Sequence, residues 1–167
     1  MVNKDKIAIV TGSSAGLGAS VAIQLAKKGI NVVINYSKNE EEAKKIQKIC
    51  ESYDIETLCL KANVSDDKDC KYLVSETIKK FKKIDILVNN AGTTKFMDHS
   101  NLDGLTADDF QKIYGVNVIG AYQMVRAVAE QMKSQSSGGA VVNVASIAGV
   151  AGIGSSIAYA ASKGAMI

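Results

Sequence analysis

The sequence predicts an α/β fold built on a doubly wound parallel sheet, and three observations carry that expectation. Strand-like and helix-like segments alternate from Lys6 to the end of the chain. Most of the strand segments are apolar without a break, as strands covered on both faces must be. A glycine-rich turn, Thr11 to Gly18, sits between the first strand and the first helix.

The elements follow in order. Lys6–Thr11 is a short β-rich run, and helical spacing of Leu17, Val21 and Leu25 predicts a helix over 16–28 with Gly29 as its stop. Asn31–Tyr36 is the second strand, Glu40–Tyr53 an amphipathic helix, and Glu56–Leu60 the third strand. Asp66–Phe81 is a helix with Leu73, Ile78 and Phe81 inward, capped by Ser65 or Asp66. Ile84–Val88 is the fourth strand. One long helix is expected over 107–133, with Thr106 as its cap, then a polar turn at 134–139 and a fifth strand at 140–144. Residues 7–10, 32–34 and 86–88 are continuously apolar, 141–144 are apolar but for Asn143, and all four runs are expected to be buried on both faces. A further helix starts at Ser156. Right-handed crossovers make this a Rossmann-type, three-layer arrangement, whose ligands bind at the carboxyl ends of the strands. The loop from Thr93 to Asp103 lies at that end.

The length, 167 residues, suits a single domain spanning 1–167. The formal charge is +3 and the lysines are scattered, so neither nucleic acid nor a membrane surface is an expected partner. No apolar run approaches the roughly 18 residues of a membrane span. Met1–Lys6 is polar and passes straight into a strand, which leaves no room for a signal peptide. The three cysteines, Cys50, Cys59 and Cys70, form no CxxC pair and are read as reduced thiols of a cytoplasmic protein. No metal site is expected. His99 has no partner in any motif and is read as a loop residue with no catalytic role.

The glycine turn has its own physics. Gly12 allows the tight turn, Gly16 lets backbone approach a pyrophosphate, and Gly18 permits close helix–strand packing. The N-terminus of the helix attracts the anion.

Four motifs in order are more specific than any one of them. They are TGxxxGxG at Thr11–Gly18, Asn89-Asn90-Ala91-Gly92 after the fourth strand, Ser146 after the fifth, and Tyr159-Ala160-Ala161-Ser162-Lys163. Together they resemble the short-chain dehydrogenase/reductase family, and within it the 3-oxoacyl-carrier-protein reductase-like members. The resemblance runs from about Lys6 to the end of the chain. It implies an NAD(P)-dependent oxidoreductase that transfers a hydride between nicotinamide and a carbonyl or secondary alcohol.

The resemblance implies a catalytic tetrad of Asn117, Ser146, Tyr159 and Lys163. Tyr159 and Lys163, four residues apart on a helix, share one face. A nearby ammonium favours the phenolate, so Tyr159 can exchange a proton with the substrate oxygen. Ser146 can hydrogen-bond that oxygen and hold it. The resemblance further implies that Lys163 binds the nicotinamide ribose, and that Asn117 holds a water linking Lys163 to solvent. The implied cofactor-binding set is Gly12, Ser14, Gly16, Leu17, Gly18, Ser37, Lys38, Asn63, Val64, Asn90, Ala91 and Gly92, with Tyr159 and Lys163.

The second strand ends Asn35-Tyr36-Ser37-Lys38, without a carboxylate until Glu40. Ser37 and Lys38 can meet a 2′-phosphate, so NADP(H) is favoured over NAD(H) as cofactor. The expected substrate is a small-molecule or acyl-thioester carbonyl, with a sugar or polyol dehydrogenase as the alternative. Family members continue past the last helix with two further strands and the segment covering the substrate. The sequence therefore reads as a C-terminally incomplete domain whose fifth strand is an exposed edge. A catalytically incompetent dinucleotide-binding fragment is the remaining alternative. The resemblance also implies a homo-dimer or homo-tetramer for the full-length protein, joined through the long helix and the last helix.

Overall fold

A computed structural model describes residues 5–167. The start of the polar N-terminal segment, and with it the expectation about a leader, lies outside the described residues. Five strands form one parallel sheet: β1 (Ile7–Val10), β2 (Asn31–Tyr36), β3 (Thr57–Lys61), β4 (Ile86–Asn89) and β5 (Ala140–Asn143). Their order is β3-β2-β1-β4-β5. The order reverses between β1 and β4, which places a crevice at their carboxyl ends. The helices are α1 (Gly16–Lys27), α2 (Glu40–Glu51), α3 (Asp67–Phe81), α4 (Ala107–Tyr114), α5 (Gly120–Ser134), α6 (Ile147–Ala151) and α7 (Ile157–Gly164). Among the described residues, no helix is long and apolar enough to cross a membrane.

The period-two alternation of the strands divides the core in two. Ile9 is in register with Val33 and Leu87, and these three pack with Leu73 of α3 and Met124 and Val128 of α5. Val10 is in register with Ile34 and Val88, which pack on the other face with Ala22 and Ala26 of α1 and Cys50 of α2. At the foot of the sheet, the buried carboxylate of Asp85 accepts the Ile7 N–H at 2.9 Å and pairs with Lys83 at 3.0 Å. Cys50 and Cys70 are buried free thiols, and burial pushes them up to about 11 and about 12.

Several sequence expectations need correction. Val141 and Val142 are not buried: they are 40% and 50% exposed, because β5 is the edge of the sheet and nothing beyond it covers them. The single helix over 107–133 is interrupted. Residues Gly115–Ile119 form a π-helical turn between α4 and α5, at the point where Asn117 turns inward. Such turns recur at functional sites. A short helix, α6, follows Ser146, a stretch to which the sequence reading assigned no element. The loop after β4 contains a 3-10 turn at Leu102–Gly104. Boundaries elsewhere shift by a residue or two, and Asp66, not Ser65, supplies the α3 cap by accepting the Lys68 N–H.

The cap that matters most for the crevice lies on α4. Thr106 and Asp109 form a reciprocal capping box, and Asp109 also takes Lys95 from the loop after β4 at 2.7 Å. Gly120 lets α5 meet the β3–α3 loop, since a Cβ there would lie 2.7 Å from Val64 Cγ2 and 3.1 Å from its carbonyl oxygen.

Two outcomes follow from this packing. Gly120→Ala overpacks the contact with Val64 and lowers stability by about 1–3 kcal/mol, read as a drop in Tm. Lys95, then the Thr106 backbone N–H, holds the Asp109 carboxyl down from 3.8 to about 2. The tie between the loop and α4 is therefore fully present above pH 3.8 and lost as pH falls towards 2. The Tm difference between the native chain and Asp109→Asn shrinks across that window. A constant difference would contradict the assignment.

Candidate dinucleotide site and catalytic helix

The crevice starts from the turn after β1. Gly12 and Gly16 have φ of +62° and +56°, a region that favours glycine. A Cβ on Gly12 would lie 2.9 Å from Ala91 Cα, whereas one on Gly16 would meet open space. Gly12 is thus required by a neighbouring loop, and Gly16 faces outward into the cleft.

Four polar side chains pin this turn to the adjoining strands. The Thr11 hydroxyl accepts the N–H groups of Asn90 and Ala91, both at 3.0 Å, and donates to Val88 O. Asn90 Nδ2 donates to the carbonyls of Thr11 (2.9 Å) and Gly12 (3.2 Å). Asn35 Oδ1 accepts the Gly12 N–H at 3.0 Å, while its Nδ2 donates to Ala62 O at 3.0 Å. Ser13 completes the link by accepting the Asn35 N–H and donating to Val10 O.

The helix that the turn opens is unusual in one respect. Among the described α-helices that start from a loop, α1 alone lacks a side-chain cap. Ala15 stands at its N-cap and no acidic residue lies in its first turn. By contrast Asn39, Asp66, Thr106, Ser146 and Ser156 cap α2, α3, α4, α6 and α7. The first-turn N–H groups of α1 therefore remain available to an anion.

That N-terminus opens into a cleft of about 790 Å³. Gly12, Ser14, Gly16, Leu17 and Gly18 line one side of it. Ser37 and Lys38 after β2, Asn63 and Val64 after β3, and Asn90, Ala91 and Gly92 after β4 line the rest. The structure thus brings together the loops after β1, β2, β3 and β4. Asn35, Ser65, Gln111 and Lys112 line it too, and the sequence reading missed them. An amide inside an apolar strand was the available signal for Asn35, since a buried amide needs partners. Gln111 and Lys112 carry no such signal, because two polar residues on a helix look like a solvated face.

At the outer end of β2, the nearest carboxylate is occupied. Glu40 pairs with Lys44 at 2.6 Å, which holds its carboxyl below the usual range, and it also takes the Tyr36 hydroxyl. Burial, then Glu40, pushes the Tyr36 phenol up. Asn63 is occupied locally as well, since its Oδ1 accepts from the N–H and hydroxyl of Ser65.

The four expected catalytic residues do not line this cleft. They stand behind and beside its inner end. Asn117 is fully buried in the π-helical turn. Lys163 is 4% exposed, its Nζ donates to Val144 O at 2.6 Å, and burial pulls its amine below the ordinary lysine range. A Cβ on Gly92 would lie 3.6 Å from Asn117 Oδ1 and 3.9 Å from Lys163 Nζ, so both groups lie behind Gly92, which lines the cleft. Tyr159 is half-buried one turn before Lys163, whose Nζ lies 5.9 Å from the phenol ring centre. Ser146 caps α6 by accepting the Ala148 N–H, and α6 packs on α7 so closely that a Cβ on Gly149 would lie 2.5 Å from the carbonyl carbon of Lys163. Among the described residues, no group of three or more His, Cys, Asp or Glu is placed to hold a metal ion.

Comparison with known proteins gives a consistent family. The family model for short chain dehydrogenases matches residues 6–167. The chain is 39% identical, over 95% of its length, to a Streptomyces violaceoruber protein described as ketoacyl reductase 2 of the granaticin polyketide synthase. It is 33% identical, over 98% of its length, to the 3-oxoacyl-[acyl-carrier-protein] reductase FabG of Staphylococcus epidermidis. It spans 61% and 65% of these two relatives, under two thirds of their length. Among solved structures it is similar to a short-chain dehydrogenase/reductase from Burkholderia xenovorans, with a TM-score of 0.93, 38% identity, and 96% and 67% of the two chains covered. It is also similar to an NAD+-bound xylitol dehydrogenase, with a TM-score of 0.89, 31% identity, and 97% and 61% covered. A match that runs from β1 through Lys163 means that the chain belongs to the short-chain dehydrogenase family.

Proposed function

We propose that the chain is the nucleotide-binding domain, spanning 1–167, of an NAD(P)-dependent oxidoreductase that interconverts a carbonyl and a secondary alcohol. The observation that carries this reading is the uncapped N-terminus of α1, which opens into a cleft walled by four strand ends. The fit to a dinucleotide follows from the same place. Free N–H groups and open space at Gly16 suit a pyrophosphate, and the cleft extends from there towards Lys38 in one direction and Gly92 in the other.

Ser37 and Lys38 are exposed at the outer end, and Lys112 adds a second cation to the lining. Glu40 is engaged by Lys44 and Tyr36, which keeps its charge away from an incoming phosphate. These features support NADP(H). The likeness to an NAD+-bound enzyme supports NAD(H) as the second reading.

When bound, the dinucleotide supplies or takes up the hydride. The residues of this chain handle the proton. Tyr159 Oη donates it to the substrate oxygen in reduction and accepts it in oxidation. The Lys163 ammonium, whose Nζ lies 5.9 Å from the phenol ring centre and donates to Val144 O, is placed to stabilise negative charge that develops on Tyr159 Oη as the proton leaves. Ser146 donates to the substrate oxygen and holds it near Tyr159. The curated relatives named ketoacyl and 3-oxoacyl reductases support a 3-oxoacyl thioester as substrate, and the xylitol dehydrogenase supports a polyol as the alternative. Ile119 and Tyr122, 50% and 62% exposed where α5 begins, support self-association through this helix.

Two measurements test the reading. NADPH and NADH binding is followed by nicotinamide fluorescence, and turnover with a panel of 3-oxoacyl thioesters, ketones and polyols. Tyr159→Phe is expected to lose about 100-fold or more in kcat while NADPH affinity stays within about threefold of native. Turnover that survives this change would sink the mechanism. Asn35→Ala removes the acceptor of the Gly12 N–H and the donor to Ala62 O, and is expected to weaken NADPH binding about 10-fold, or 1.4 kcal/mol. Native affinity in a folded Asn35→Ala chain would show that the turn does not depend on this amide.

A further inference from the structure

Ser162 lies one residue before Lys163 on α7 and is fully buried. Its hydroxyl donates to the Tyr159 carbonyl at 2.7 Å and accepts an N–H of the Asn117 side chain at 2.9 Å. The other amide hydrogen of Asn117 goes to Thr93 O at 3.1 Å, and Asn117 Oδ1 accepts the Thr93 N–H at 2.8 Å. Both amide hydrogens of Asn117 are therefore spent. A water beside Lys163 finds only the second lone pair of Oδ1 on this side chain.

These bonds form a continuous buried connection. It runs from the α7 backbone at Tyr159, through Ser162 and Asn117, to the backbone at Thr93. Thr93 immediately follows Gly92, the cleft-lining residue behind which Lys163 Nζ and Asn117 Oδ1 lie. The π-helical turn is what brings Asn117 to face α7, as the inward side chain of an otherwise apolar stretch. A regular helix through 115–119 would change the direction of every later residue relative to α4.

We infer that Ser162 is a positioning residue. Through Asn117 it locks the helix carrying Tyr159 and Lys163 to the backbone behind Gly92, and so fixes the proton-handling groups against the inner end of the cleft. The inference rests on the proposed oxidoreductase function and assigns the Asn117 side chain chiefly to this lock. Ser162→Ala keeps the helix propensity high but leaves a buried Asn117 N–H without an acceptor. Asn117 then loses its hold on α7 while keeping its hold on Thr93.

The test uses the 15N-labelled chain with and without NADPH, as native protein and as Ser162→Ala. In the native chain the Asn117 side-chain amide hydrogens are protected from exchange. In Ser162→Ala they are expected to exchange about 5- to 10-fold faster, the factor one hydrogen bond is worth. The kcat is expected to fall about fivefold with a displaced pH profile, while NADPH affinity changes less than about twofold. Unchanged Asn117 exchange overturns the lock. Faster exchange with kcat and pH profile unmoved overturns the positioning role. If the native chain binds neither NADPH nor NADH, the oxidoreductase reading falls by itself, and the exchange measurement still decides the lock. If Ser162→Ala does not fold, Ser162→Thr keeps the hydroxyl acceptor: native exchange of Asn117 in that variant supports the lock, and fast exchange in a folded chain overturns it.

Discussion

Asn35 joins three strand ends with one amide. Its oxygen holds the Gly12 N–H of the turn after β1, its backbone is exchanged with Ser13, and its nitrogen reaches Ala62 beyond β3. The physical demand behind this is strict. A turn that passes from a buried strand to a helix carries polar backbone groups, and burying one unpaired costs about 1–3 kcal/mol. Thr11 and Asn90 meet the same demand from the β4 side. With the turn satisfied from both neighbours, α1 itself needs no side-chain cap. Its N–H groups stay uncommitted and point into the cleft.

The same logic organises the inner end. Lys163 is almost fully buried with no carboxylate beside it, and its amine finds a carbonyl, Val144 O. Burial alone is the cause that lowers its proton affinity. A lysine held in this way keeps its Nζ 5.9 Å from the Tyr159 ring centre while bonded to a carbonyl, as the proposed proton chemistry requires. The geometry also explains why α6 and α7 pack through Gly149. Any side chain there would strike the backbone at Lys163 and push Ser146 away from the helix that carries Tyr159.

What the sequence disclosed depended on the kind of signal. The sheet was readable because β1, β2 and β4 are buried, and buried strands need apolar side chains throughout. Val141 and Val142 obey the same pattern and yet are exposed, since apolar composition reports that a face is suited to burial, not that something covers it. The turn from Thr11 to Gly18 was readable because glycine at positive φ leaves a mark in sequence. The clamp around it was not, because Asn35 and Asn90 act through bonds to residues 23 to 79 positions away. The π-helical turn was hidden for a related reason. Gly115-Val116-Asn117-Val118-Ile119 is made of weak helix formers, but none of them calls for a π-helical turn, and the partners of Asn117, at Thr93 and Ser162, go with the extra residue.

The two halves of the crevice are built differently, and this bears on how such a site varies. The dinucleotide end is made from strand termini whose positions the sheet register sets. The opposite end is made from two loops, 93–103 and 152–156, joined by few bonds: Thr94 to Ser155 hydroxyls at 2.5 Å, Met97 N–H to Ser155 O at 2.9 Å, and the His99 ring to Gly154 O at 3.1 Å. His99, without a motif partner in sequence, thus has a structural one. Phe96 and Ile153, 79% and 60% exposed, stand on these loops beside a second, more open depression of about 550 Å³. Substitutions there leave the sheet, the clamp and the α7 lock untouched, because none of those bonds passes through either side chain. Loops on a rigid scaffold are where recognition varies at least cost to folding. In this chain Tyr159, Lys163 and the turn at Gly12 are bonded into the scaffold, and the Phe96 and Ile153 side chains take no part in those bonds, so the rim can vary at these two positions while the other three keep their places.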